Sequence, residues 1–351
     1  MSQIAPDAPA KRPEQTLMYA EAQEAGQAAQ RFLAANWPTL VRLGERLRAT
    51  PPSAVITCAR GSSDHAATFG KYLIETLVGI PTASAALSVT SVFAAPVAAG
   101  NMVCIAISQS GRSPDLLRTV EAYKAAGAFV IALVNDDFSP LAALADEILP
   151  LCAGPEYSVA ATKSYIASLV GLAALVAHWT QDAPLLDALT RLPEDLANAF
   201  ARDWSAALPM LSSATNLFVV GRGYSFAVAQ EAALKLKETS GLHAEAFSSA
   251  EVRHGPMAIV QKNFPILAFA TSDLAGDDVR ALAQEFVGRE AAVALADATD
   301  PASRLPTARA HPVVEPILMI QSFYRLANMV SLARGFDPDT PPYLNKVTQT
   351  L

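Results

Sequence analysis

Apolar and polar positions along the chain fall into blocks of two kinds. Short continuous apolar runs bounded by polar or Gly turns predict buried strands at Ala54 to Ala59, Val103 to Ile107, Ala128 to Val134 and Leu149 to Leu151. A second series follows at Leu217 to Val220, Pro265 to Phe269, Glu290 to Ala296 and His311 to Val313. Between them lie segments of helical spacing, such as Leu116 to Ala126 and Gln230 to Ser240. Strands apolar on both faces, alternating with helices, predict parallel sheets covered on both sides.

The two series are copies. Arg60-Gly61-Ser62-Ser63 follows the first run and Arg222-Gly223-Tyr224-Ser225 the fifth, so that position 60 falls on position 222. The same offset superposes the three remaining pairs of runs without a gap. The expectation is two tandem, doubly wound, flavodoxin-like α/β domains at residues 41–200 and 201–337, with a lead-in helix or linker over 1–40 and a Pro-broken tail over 338–351. Ligands of such sheets bind beyond the carboxyl ends of the strands, so the chemistry is sought in the loops that follow them.

Composition removes several function classes. Hydrophobic residues make up 52% of the chain, yet the longest nearly unbroken apolar stretch, Ile166 to Ala177, is shorter than a bilayer span. The start, Met1-Ser2-Gln3-Ile4, has neither the basic opening nor the apolar core of a secretory signal. A cytoplasmic protein without a membrane partner is expected. A net charge of −7 and the lack of a Lys/Arg cluster argue against a nucleic-acid partner. The three cysteines, Cys58, Cys104 and Cys152, sit in apolar runs and predict buried free thiols. The five histidines have no ligand spacing, and neither a metal nor another cofactor is expected.

The loop after the second run reads Ser108-Gln109-Ser110-Gly111-Arg112-Ser113-Pro114-Asp115. Gly111 permits a tight turn, and Ser113-Pro114 has the form of an N-cap followed by the first helical residue. Hydroxyls of Ser108, Ser110 and Ser113, the Gln109 amide and free helix N–H groups can together cradle a phosphate. An ordinary capped helix is the alternative. The repeat favours phosphate, because the second copy reads Ala270-Thr271-Ser272-Asp273 and lacks the polar loop. Gly61-Ser62-Ser63 would lie beside that cradle and meet sugar hydroxyls, whereas Arg60 and Arg222 are equally readable as surface charges.

Glu231, Lys235 and Glu238 are spaced i, i+4, i+7 and share one helix face. Such a trio is commonly an exposed ion-pair ladder, but this helix begins at the ligand edge of its sheet. A carboxylate there can carry a proton between C2 and C1 of an opened sugar, and a Lys can steady the enolate oxygen. His254 lies in a Gly-Pro turn, His254-Gly255-Pro256, and an imidazole suits ring opening near neutral pH, while His243 has no such context and reads as structural. Lys346 is either a solvated charge or a reactive amine folded over the site.

Arg60-Gly61-Ser62-Ser63, Ser108-Gln109-Ser110-Gly111, Val159-Ala160-Ala161-Thr162-Lys163, the Glu231 to Glu238 octapeptide, His243-Ala244-Glu245-Ala246 and His254-Gly255-Pro256 together resemble the sugar isomerase (SIS) domains. Within that family the resemblance, over roughly residues 40–351, is to the isomerase half of glucosamine-6-phosphate synthase and to stand-alone deaminases. It implies that Ser108, Gln109, Ser110 and Ser113 hold phosphate, and that Gly61, Ser62, Ser63, Val159, Ala160 and Glu231 belong to the sugar-binding set. It also implies that Glu238 is the C1/C2 base with Lys235 beside it, that His254 opens the ring from a neighbouring subunit of a homodimer, and that Lys346 corresponds to the synthase lysine that forms an imine. The segment after Lys346 is one residue shorter than in the synthases. The chain also opens without the N-terminal Cys of a glutaminase domain, so the expected reaction is deamination of glucosamine 6-phosphate to fructose 6-phosphate and ammonia. A fructosamine-6-phosphate deglycase, a plain phosphosugar isomerase and a non-catalytic sugar-phosphate regulator are the alternatives.

Overall fold

The computed structural model describes residues 11–346. A first sheet is built from β1 (Ala54–Cys58), β2 (Thr82–Ser84), β3 (Met102–Ser108), β4 (Phe129–Val134) and β5 (Glu147–Pro150), in the order β2-β1-β3-β4-β5. A second contains β6 (Asn216–Gly221), β7 (His243–Ser248), β8 (Pro265–Ala270) and β9 (Ala292–Asp297), in the order β7-β6-β8-β9. Every pairing is parallel. These are the two doubly wound α/β domains that the strand pattern predicts.

The principal helices are α1 (Leu17–Gln23), α2 (Ala25–Ala49), α3 (Ser62–Leu73), α4 (Pro114–Ala125), α5 (Lys163–Thr180), α6 (Ala183–Ala201), α7 (Tyr224–Ser240), α8 (Leu274–Gly288) and α9 (Glu315–Ala333). α5 is buried around almost its whole circumference, which explains the unbroken apolar run in its sequence. It packs on α2 and α3, and α9 packs on α6 and α7. The close approach of α2 and α5 depends on Gly171, where an added Cβ would lie 2.9 Å from the Phe32 ring. α3 and α7, the first helices of the two domains, pack against each other and bring both ligand edges to one place. Among the described residues no helix is long and apolar enough to cross a membrane.

The repeat is visible in the hydrogen-bond register. Val55 lies opposite Thr82 as Leu217 lies opposite Ala244, and Ile56 opposite Cys104 as Phe218 opposite Ile266, each pair displaced by the offset that carries Arg60 onto Arg222. Two expectations need correction. Val103 faces Phe129 but Pro265 faces Ala292, whereas the constant offset would set Ala291 there, so the last matched strand is one position out and the alignment is not gap-free. The extra residue lies in the connection between β8 and β9, whose loop is shorter and whose helix α8 is longer than the matching loop and helix α4 between β3 and β4. His311-Pro312-Val313 is also not a strand: β9 remains an edge, whereas its counterpart β4 pairs with β5. Pro312 has no N–H for a ladder. The N–H groups of Val314 and Glu315 both donate to the His311 carbonyl, at 2.7 and 3.1 Å, and wind the segment into the start of α9.

The thiols of Cys58 and Cys104 are free and buried on adjacent strands, with sulfurs 3.7 Å apart. Cys152 is free but only half-buried, because it lies past β5 rather than inside a strand.

Candidate active site

Both domains make the strand-to-helix turn in the same way. Gly61 (φ 55°, ψ −131°) and Gly223 (φ 56°, ψ −127°) occupy a region that L side chains avoid, and each starts the helix that follows. The turn after β3 needs its glycine for two reasons. Gly111 has φ 64°, and a Cβ there would fall 2.3 Å from Ser139 Oγ. The Gly111 N–H donates to Ser108 Oγ at 3.0 Å, which curls the loop back on itself.

This loop then delivers α4 with its amino end open. Ser113 is the N-cap and Pro114 the first helical residue, but the Ser113 side chain caps no N–H of the helix. Gln109, Ser110 and Ser113 make no side-chain hydrogen bond among the described residues, so their donors face the cleft. Arg60 closes one side: its guanidinium holds the buried Asp115 carboxylate through Nε at 3.0 Å and Nη2 at 2.7 Å. Arg60 therefore belongs to the site's frame and is not a loose surface charge.

A cleft of about 390 Å³ gathers Gly61, Ser62, Ser63, Ser108, Gln109, Ser110, Ser113, Val159, Lys235, Glu238 and Lys346, together with Ala161 and Asn345. Residues from the turn after β1, the start of α3, the end of β3 and the loop after it, the 151–162 segment, α7 and the tail thus meet in one space. A larger recess of about 460 Å³ runs along the open edge of β9. Its Asp297 is already paired with Arg280, and none of the candidate residues line it; they gather in the smaller cleft.

The i, i+4, i+7 trio is not an exposed ladder. Glu231 is fully buried behind the cleft wall, where it accepts hydrogen bonds from Ser62 Oγ at 3.0 Å and Tyr324 Oη at 3.3 Å and lies 3.0 Å from His65 Nδ1. Lys235 is buried between Glu231, 3.4 Å away, and Glu238, which its Nζ contacts directly. Burial works against the Lys235 ammonium, but the two carboxylates outweigh it and hold the pKa above the usual lysine value. Glu238 alone of the trio reaches the cleft while remaining partly open to it. The arrangement is a partly open carboxylate beside a buried lysine, facing a loop of hydroxyl and amide donors.

Ala160 is buried behind the wall formed by its neighbours Val159 and Ala161. His254 lies outside the cleft, exposed in the one-turn helix Glu251–His254 that follows β7. His243 is exposed at the first residue of β7, the end opposite the ligand edge. Lys346 folds back into the site: its Nζ donates to the Ser158 carbonyl at 2.7 Å and lies 3.3 Å from Glu156 Oε2. Sequence reasoning missed His65 and Glu156. His65 sits one position after Gly61-Ser62-Ser63-Asp64 on the same helix face as Ser62, a spacing that could have drawn attention; Glu156 had only its place after Gly154-Pro155. Among the described residues no cluster of His, Cys, Asp or Glu is arranged to hold a metal ion.

Comparison with known proteins identifies the same two-part organisation. The SIS domain family matches residues 51–178 and 210–325, one match for each half of the repeat. The chain belongs to the SIS domain family. The glutamine–fructose-6-phosphate aminotransferase (isomerizing) of Aeropyrum pernix is 34% identical over 307 residues, which is 82% of this chain and 49% of that protein. The chain thus spans about half the length of the curated relatives it matches. A crystal structure of a candidate phosphosugar isomerase from Silicibacter pomeroyi DSS-3 superposes with TM-score 0.87 at 41% identity, covering 92% of this chain and all of that one. The C-terminal domain of glucosamine-fructose-6-phosphate aminotransferase from Francisella tularensis gives TM-score 0.83 at 25% identity, covering 93% of this SIS-domain chain and 98% of that chain.

Proposed function

We propose that the protein is a glucosamine-6-phosphate deaminase, an aldose–ketose isomerase of aminohexose 6-phosphates that releases ammonia. One observation carries this assignment: Glu238, supported by the buried Lys235 ammonium, opens into the same cleft as the donor-rich Ser108–Ser113 loop. The phosphate binds at Gln109, Ser110, Ser113 and the amino end of α4. The opened sugar then extends past Gly61-Ser62-Ser63 and Val159 toward Glu238. Glu238 takes the C2 proton and returns it to C1, while Lys235 holds charge near the developing enolic oxygen. The fructosimine formed adds water and loses ammonia, so that glucosamine 6-phosphate and water give fructose 6-phosphate and ammonia.

His254, exposed and outside its own chain's cleft, serves ring opening in the cleft of a second copy, which makes the working unit a homodimer. A plain phosphosugar isomerase is the second reading. It is favoured by the 41% identity to the Silicibacter protein and uses the same phosphate loop and the same base.

The test is to run glucosamine 6-phosphate in D₂O and follow ammonia release together with deuterium at C1 of the product. Ammonia release that falls at least ~10²-fold in Glu238→Gln, with sugar-phosphate binding kept, is expected for loss of a general base. Wild-type protein that interconverts hexose phosphates but never releases ammonia assigns it to the second reading. Full activity in Glu238→Gln removes Glu238 from the chemistry altogether.

A further inference from the structure

The turn that carries Val159 and Ala161 to the cleft is held by buried carboxylates from two sides. Glu156, whose side chain has no exposed surface, accepts the N–H groups of Thr162 at 2.9 Å and Ser164 at 3.3 Å and the Ser164 hydroxyl at 2.6 Å. Glu21 of α1 accepts the N–H groups of Tyr157 and Ser158. The tail arrives at the same turn twice. Val159 donates its N–H to the Asp339 carbonyl at 3.3 Å, and Lys346 sets its amine against Glu156 and the Ser158 carbonyl. Within this turn the hydroxyls of Ser158 and Thr162 are buried and have no partner among the described residues.

A carboxylate removed from water persists as an anion only where charged and hydrogen-bonding partners replace its solvent. Burial would raise the Glu156 pKa, but Lys346, Ser164 and the Thr162 N–H together hold it below the ordinary value. Lys346 is the single cation in that set, so the tail is part of what makes a charged Glu156 tolerable inside the domain.

We propose that Glu156 is a positioning residue that couples the tail to the cleft wall: one carboxylate fixes both the shape of the 156–164 turn and the place of the Lys346 amine. The Val159–Ala161 wall and the tail's positive charge then meet a bound sugar as one unit. Held against the Glu156 carboxylate and the Ser158 carbonyl, the amine is placed to donate a hydrogen bond to a sugar oxygen. The proposal rests on the assignment of this cleft to an aminohexose 6-phosphate.

A double-mutant cycle tests it. kcat/KM for glucosamine 6-phosphate is measured in the wild type, Glu156→Gln, Lys346→Met and the double variant. Each single change is expected to cost about 10-fold, the scale of a lost charge-assisted contact. The double variant should be no worse than the poorer single, because each residue acts through the other. Losses that multiply overturn the proposal, since Glu156 would then act without the tail. If no variant and no wild type releases ammonia, the proposed function fails, and the cycle is read instead from the Kd of fructose 6-phosphate with the same two outcomes. Where Glu156→Gln does not fold, hydrogen–deuterium exchange on Lys346→Met decides. Faster exchange at the amides of Tyr157 to Thr162 is expected, and unchanged exchange there overturns the coupling.

Discussion

The two halves of the molecule share one chain path, and they use its ligand edge in opposite ways. In both, an Arg after the first strand reaches an Asp near the start of a later helix: Arg60 to Asp115 in the first turn of α4, and Arg222 to Asp278 one turn into α8. In the first half the side chains of Gln109, Ser110 and Ser113 make no hydrogen bond among the described residues, and Ser113 caps no N–H of α4. In the second half the chain supplies its own acceptors. Asp273 caps α8 through the Gly276 N–H at 3.0 Å, Glu315 takes the Ser272 N–H at 2.7 Å, and Asp278 binds Arg222, Arg253 and the Ser249 hydroxyl. The fold thus builds the same helix-start edge twice, and among the described residues the second copy is occupied by the chain's own acidic side chains.

Transferring the device of one half into the other is the strongest way to break this comparison. Ser113→Asp puts a carboxylate at the α4 N-cap, as Asp273 does for α8. Repulsion of a phosphate in a desolvated crevice should cost at least ~10²-fold in sugar-phosphate affinity, measured by calorimetry, with the fold intact. Equal affinity in the variant would mean that phosphate binds elsewhere.

Asp278 offers an effect of intermediate size. Burial alone would raise its pKa, but Ser249, Arg222 and Arg253 bring it down to about 2 from the ordinary 3.8. A depressed carboxylate contributes stability that is complete above its unfolded-state pKa and lost as pH falls through the folded one. The second half should therefore lose about 2 kcal/mol between roughly pH 4 and pH 2. Denaturation of Asp278→Asn should show that part of the slope flattened and a comparable loss at neutral pH; a parallel pH profile would rule the cluster out as a stabilising device.

The smallest effects sharpen the comparison. Gly61→Ala and Gly223→Ala each force a side chain into a region of positive φ, at a cost of about 1–3 kcal/mol apiece. Thermal unfolding should report losses on this scale for both, the larger for Gly223→Ala, whose added Cβ would lie 3.0 Å from Ala275 Cβ while one at Gly61 meets nothing within 4 Å. Only Gly61→Ala should also weaken sugar-phosphate binding, because Gly61 lines the cleft and Gly223 does not.

Much of this was legible in the sequence because it is written in local pattern. The apolar runs and their constant offset give both sheets, and Ser-Gln-Ser-Gly followed by Ser-Pro gives the loop and its cap. What stayed hidden is what one segment does to another. β2 and β7 are too short or too polar to stand out as apolar runs. The residue inserted after β8 leaves no trace in strand pattern, and His311-Pro312-Val313 looks extended until its carbonyl is seen to start a helix. Glu231 and Lys235 read as a surface ladder or a site with equal ease, since only the packing of α3, α7 and α9 buries them. Lys346 had two readings for the same reason: its partners, Glu156 and the Ser158 carbonyl, lie far earlier in the chain and in the other half of the repeat.

The most direct measurement is the number of sugar-phosphate sites per chain. Titration of the wild type with fructose 6-phosphate, against unphosphorylated fructose as control, should give one phosphate-dependent site per chain, and Ser113→Asp should abolish it. Two sites per chain, or a single site that survives Ser113→Asp and disappears when Arg222 and Arg253 are replaced, would contradict the division of labour between the two halves.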